Sequence, residues 1–75
     1  MTPYKNLSRT SGVVAYRIEP GSIAVEFEDG AIYLYTEESA GQPNIERMKE
    51  LADTGRGLST FIVRHVRKAY AARLR

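Results

Sequence analysis

Cysteine is absent from this chain. Neither a disulfide framework nor a thiolate metal site can staple the fold. Histidine occurs once, at His65, and a single imidazole with no second His or Cys cannot complete a zinc site. No metal and no cofactor are expected. The opening MTPYKNLSRT has no apolar h-region of the kind that marks a signal peptide. No apolar run approaches the roughly 20 residues that span a bilayer. The expectation is therefore a cytoplasmic protein with no membrane partner. Acids are missing after Asp53. Ser59 and His65 thus lack a carboxylate partner in the tail, and six residues apart on a helix they diverge, which leaves a hydrolytic triad unsupported. Glu26 and Glu28 share one face of a water-exposed hairpin, with no cleft to tune them. T54-G-R-G57 lacks the length and the Lys-Ser/Thr ending of a phosphate loop. These exclusions predict a non-enzymatic protein.

The chain has 75 residues, 43% of them hydrophobic, with 3 prolines. That describes one globular domain near the lower size limit for folding on a hydrophobic core alone. The net charge of +2 conceals a strong asymmetry. All nine acids lie between Glu19 and Asp53, offset there only by Arg47 and Lys49, a net −7. From Thr54 onward Arg56, Arg64, Arg67, Lys68, Arg73 and Arg75 give +6. Such a tail either meets an anionic partner or is neutralised by the acidic middle.

Residues 1–11 show no periodicity and read as a flexible arm, and 12–75 read as the domain. From Val13 the period is two, with Val14, Tyr16 and Ile18 on one face. Pro20-Gly21 makes a turn, and Ile23, Val25 and Phe27 then alternate with Ala24, Glu26 and Glu28. Pairing Ile18 with Ile23 sets Tyr16 against Val25 and Val14 against Phe27. The next turn has two solutions. A two-residue Asp29-Gly30 loop exposes Tyr33 and Tyr35, whereas a three-residue Glu28-Asp29-Gly30 loop pairs Val25 with Tyr33 and turns both tyrosines inward. The stretch EESAGQP ends the sheet. Pro43 suits a helix start, Ile45, Met48, Leu51 and Ala52 recur at helical spacing, and Gly55 suits the C-cap. A second helix begins near Ser59, with Ile62, Val66, Ala69, Tyr70 and Leu74 as its apolar stripe.

The fold class is α+β: a three-stranded antiparallel meander near 13–19, 22–28 and 31–36, followed by two helices near 43–54 and 59–73 packed on one face. V14-A-Y16, V25-E-F27, Gly30, Y33-L-Y35, A52-D-T-G55 and Ile62, in this order and spacing, resemble the KTSC domain. That small family is named for a C-terminal extension of some lysyl-tRNA synthetases, and it also occurs as free-standing bacterial proteins. Thr36 and an acidic loop stand where the family pattern has Val-Pro, and S59-T-F-I62-V63 stands where it has Asn-x-x-Ile-Arg. In the family the residue between the tyrosines is free and often polar, which implies buried tyrosines and the three-residue loop. The resemblance also implies an accessory module for which RNA binding is a suggested role.

On a helix, Arg67, Lys68 and Arg75 fall close to the Arg64 direction, opposite the apolar stripe. Arg56, Arg64, Arg67, Lys68 and Arg75 are thus the candidate phosphate contacts for RNA, tRNA-like or duplex. The alternative is a protein-interaction or self-association module. For that role Ala15, Ala24, Ile32 and Leu34 form a small apolar patch on the outer sheet face.

Overall fold

A computed structural model describes residues 1–6 and 12–75. Its centre is the meander that the alternation predicts: β2 (Val13–Glu19), β3 (Ser22–Phe27) and β4 (Ile32–Thr36), antiparallel and consecutive. The β3–β4 register is Ile23 to Tyr35 and Val25 to Tyr33, which is the three-residue loop. Phe27 N–H donates to Ala31 O at 2.8 Å, and Gly30 N–H returns to Phe27 O at 2.9 Å. Gly30 supplies the positive φ, 92°, that this turn requires. Asp29 Oδ1 accepts from Ala31 N–H at 3.0 Å and pins the turn further.

The β2–β3 register follows expectation from Ile18–Ile23 to Tyr16–Val25 and then slips at a bulge between Val13 and Ala15. Val13, not Val14, pairs with Phe27; Val13 is fully buried, and Val14 is 43% exposed. One extra residue in a strand reverses the facing of everything before it.

Among the described residues the sheet has five strands, not three. Thr2–Pro3 (β1) pairs with Tyr16 and Ala15 on the β2 edge, and Ala72–Arg73 (β5) pairs with Tyr33 and Leu34 on the β4 edge. Tyr4, expected in a loose arm, is only 6% exposed. Its hydroxyl accepts from Leu58 N–H at 3.3 Å. The remainder of that expected arm, residues 7–11, lies outside the described residues.

A short α1 (Glu37–Ala40) fills the stretch read as irregular. Thr36 and Ser39 cap it reciprocally: Ser39 N–H donates to Thr36 Oγ1 at 3.1 Å and Thr36 N–H to Ser39 Oγ at 3.0 Å. Next comes α2 (Gln42–Thr54), with Pro43 in its first turn, and it buries Ile45, Met48 and Ala52 against the sheet. Gly55 closes it at φ 87°, and its N–H donates to Leu51 O. An added Cβ at Gly55 would stand 2.5 Å from Lys5 Cβ, so the N-terminal segment crosses where no larger residue fits.

The second long helix is overturned. Leu58–Phe61 (α3) is α-helical, Ile62–Val66 continues as a π-helical turn, and the helix is finished by Arg67. Arg67 N–H donates to Ile62 O at 2.6 Å, and Arg67 itself takes φ 23°. The chain then folds back along β4. Ala71 N–H donates to Leu34 O and Leu74 N–H to Ile32 O, both at 2.7 Å. Ladder bonds on an otherwise open sheet edge replace the helical bonds that residues 67–73 would have made. The expected apolar stripe survives at Ile62, Val66 and Ala69, whereas Leu74 is half exposed.

Candidate functional site

Reversal of the chain at Arg67 redistributes the candidate residues. With no helix beyond that point, Arg64, Arg67, Lys68 and Arg75 cannot share a helical ridge. Arg75 leaves the group altogether: its guanidinium meets Glu26 Oε2 at 2.7 Å, and its Nε donates to Gly30 O at 3.1 Å. Arg56 is exposed in the connection between α2 and α3, and Arg64 is exposed on the π-helical turn. Arg67 and Lys68 are brought together, because both line a groove of about 480 Å³.

The groove lies at the margin of the core. Its apolar surface comes from Phe27 and Tyr33 on the sheet, Ile62 and Val63 on the π-helical turn, and Tyr70 on the returning segment. The rings support one another. Phe27 meets Tyr33 edge-on at 5.8 Å between centroids, Tyr70 lies 4.6 Å from Tyr33 at a 50° tilt, and it meets Tyr35 edge-on at 6.3 Å. Arg73, one strand over, sets its guanidinium 5.6 Å from the Tyr33 centroid, within cation–π range. Glu28 and Asp29 of the β3–β4 turn also line the groove. Sequence reasoning missed Phe27, Tyr70 and Arg73 as site residues. Five tyrosines in 75 residues were a visible signal, but which of them face a groove depends on the return of the chain.

Tyr33 and Tyr35 divide the labour. Tyr35 is 1% exposed and belongs to the core. Burial, with Tyr33 and Tyr70 beside it, pushes its phenol up to about 12. It stays protonated at neutral pH and donates to Arg67 O at 3.4 Å, which ties the core to the turn that carries the cations. Tyr33 is only half-buried, on the same sheet face but at its rim. The outer-face residues Ala15, Ile32 and Leu34 are partly exposed, whereas Ala24 is almost fully buried and offers no contact surface.

Neutralisation of the basic tail by the acidic middle is confined to one pair. Among the described residues the ion pairs are Arg17–Glu19 at 3.7 Å, Arg47–Glu50 at 3.6 Å and Arg75–Glu26. Glu50, one of the acids of the middle segment, is taken by its helix neighbour Arg47. Arg56, Arg64, Arg67 and Lys68 form no ion pair among the described residues. The ring of His65 packs on Phe61 at 4.5 Å between centroids. No group of three or more His, Cys, Asp or Glu side chains among the described residues is placed to hold a metal ion. No described helix is long and apolar enough to cross a membrane.

No family model, no curated protein and no solved structure matches the chain. The resemblance to the KTSC domain therefore rests on the residues quoted for it.

Proposed function

We propose that the protein is a non-enzymatic, KTSC-like accessory module that binds RNA, with Arg67 and Lys68 contacting phosphate and Arg56 and Arg64 extending the cationic surface. The observation that carries this reading is the pair Arg67 and Lys68, exposed and without an acidic partner, beside a groove lined by aromatic rings. Arg75, by contrast, is met by the Glu26 carboxylate. Cations left free beside aromatic surface suit a ligand that has both negative charge and flat apolar faces, and RNA has both. Phosphate binding releases counterions, so affinity should fall as salt rises, with a log–log slope near −0.9 for each duplex phosphate neutralised. Titration of labelled tRNA, duplex RNA and duplex DNA at two salt concentrations tests this. Loss of all binding even at about 50 mM salt, where screening is weakest, would remove the RNA reading.

A second reading, self-association, has one observation in its favour: the helices pack on a single face of the sheet, leaving Ile32 and Leu34 partly exposed on the other. Leu34→Lys should then leave the monomer folded and shift a dimer toward monomer in sedimentation. A protein that sediments as a monomer both before and after the change would dismiss this reading.

A further inference from the structure

We infer that the groove takes one unpaired RNA base, stacked against Tyr70, with the phosphate of that nucleotide on Arg67 and Lys68. The inference rests on the RNA reading above and names the form of RNA that the site accepts.

The groove holds two kinds of surface that a phosphate track alone would not use. Its rings and the side chains of Ile62 and Val63 are apolar, and its volume of about 480 Å³ falls in the range of small-molecule sites. Its charged lining is mixed, since Glu28 and Asp29 share it with Arg67 and Lys68. A phosphodiester backbone running the length of the groove would meet those two carboxylates. A base inserted with its own phosphate at Arg67 and Lys68 keeps the negative charge beside the cations. Carboxylates can face a base edge at no such cost, because base amino groups donate to them.

Tyr70 is the ring available for stacking. Both rings touch two others, but Tyr33 also carries the Arg73 guanidinium, whereas Tyr70 is 37% exposed. The stacking ring and both cations lie within a few residues on one segment, anchored at one end by the Tyr35 bond to Arg67 and at the other by the β5 ladder. The backbone that carries them is therefore tied at both ends. Arg67, at φ 23° directly after a π-helical turn, has the kind of costly backbone that concentrates at binding sites. Bases in a duplex are paired and stacked and cannot enter, so the site selects single strands, loops or bulges.

The test uses a labelled single-stranded RNA of about 10 nucleotides, within the reach of one small binding surface, and the same strand annealed to its complement. Affinities are measured at about 50 and 200 mM salt for the natural chain, Tyr70→Ala, Tyr70→Phe and the double variant Arg67→Glu/Lys68→Glu. Tyr70→Ala should weaken single-strand binding roughly 5- to 100-fold, the worth of one base–aromatic stack, and leave duplex binding within about twofold. Tyr70→Phe should bind like the natural chain, and the double variant should lose affinity for both RNAs. Equal loss for single strand and duplex in Tyr70→Ala, or no loss for either, would overturn the base site while leaving phosphate binding intact. Failure of both RNAs to bind would bring down the RNA reading together with the inference. Should Tyr70→Ala fail to fold, quenching of tyrosine fluorescence in the natural chain decides. The single strand must quench and the duplex must not; any other pattern overturns the base site. Displacement of the single strand by a proline-rich peptide without phosphate would assign the groove to peptides and overturn the proposal.

Discussion

The segment from Val13 to Thr36 and the segment from Leu58 to Arg75 are of similar length and opposite construction. The first is three strands whose ladder is interrupted by the bulge between Val13 and Ala15, and its inward residues Val13, Ile23, Val25 and Tyr35 are essentially water-free. The second changes form repeatedly, from α-helix through a π-helical turn to a two-residue strand, and leaves Val63 and Leu74 largely exposed. It also carries five of the chain's basic residues, Arg64, Arg67, Lys68, Arg73 and Arg75, and no acid. The first segment holds most of the sheet, and the second holds exposed positive charge. Leu58, Ile62 and Val66 of the second segment join the core, whereas its cations stand exposed outside it, so charge reversals and core truncations should act separately.

The largest expected effect sharpens the division within the tyrosine pair. Tyr35→Ala should cost roughly 3–5 kcal/mol, as aromatic-to-alanine changes in a core do, and in so small a domain this abolishes folding. Tyr33→Ala, at the half-buried rim, should cost clearly less. Equal loss in thermal melts would show that Tyr33 belongs to the core as fully as its neighbour. Next come two glycines. Gly55→Ala must place a Cβ against Lys5 in a left-handed backbone and should cost about 2 kcal/mol or more. Gly30→Ala meets nothing within 4 Å and should cost only the backbone term, about 1–2 kcal/mol. A reversed order in denaturant titration would mean that the N-terminal segment does not pack on the end of α2.

Alkaline pH probes the junction between the two segments. The folded-state phenol of Tyr35 lies at about 12 against an ordinary value of 10.0, so the folded state holds the proton more tightly than the unfolded one. Its contribution to stability is fully present below pH 10 and is lost as pH rises toward 12. Tyr35→Phe keeps the ring and removes the titration, so it should flatten this alkaline limb in pH-dependent melts. The smallest stability effect is expected in the second segment. Arg64→Glu combined with Lys68→Glu should change stability by no more than about 0.5 kcal/mol per site, because neither side chain has an ionic partner to lose. The same variant should weaken RNA binding. A large fall in melting temperature with unchanged affinity would break the comparison and make the basic segment structural.

Local pattern was enough for the meander and for α2. Their residues alternate at period two or recur at period 3.6, and each period reports which side is buried without reference to distant chain. Pro43 and Gly55 bracket α2 where their backbone preferences place them. The turn at Gly30 was narrowed to two registers, and the family-like Tyr-x-Tyr pattern pointed to the observed one. Composition also displayed the charge asymmetry. Pattern reading failed where one residue or one distant partner decides. The bulge that inverts Val13 and Val14 leaves no periodic trace. Thr2–Pro3 and Ala72–Arg73 are too short to have a period and exist only because β2 and β4 offer them edges.

The second helix is the clearest case. Residues 59–73 have an apolar stripe good enough for a helix, and taken alone they would be read as one. An open edge on β4 and a ring surface at Tyr33 and Tyr35 compete for the same residues, and both competitors lie more than 30 positions away in the chain. Once Ala71 and Leu74 bond to β4 and Tyr70 packs on those rings, the helix stops at Arg67, and Arg67 and Lys68 come to the groove. Sequence alone determined that the tail would be basic and narrowed the facing of Tyr33 and Tyr35 to two registers. Where the cations stand, and which aromatic rings accompany them, was decided by long-range pairing, because an unsatisfied sheet edge outweighs the local preference of a short helix.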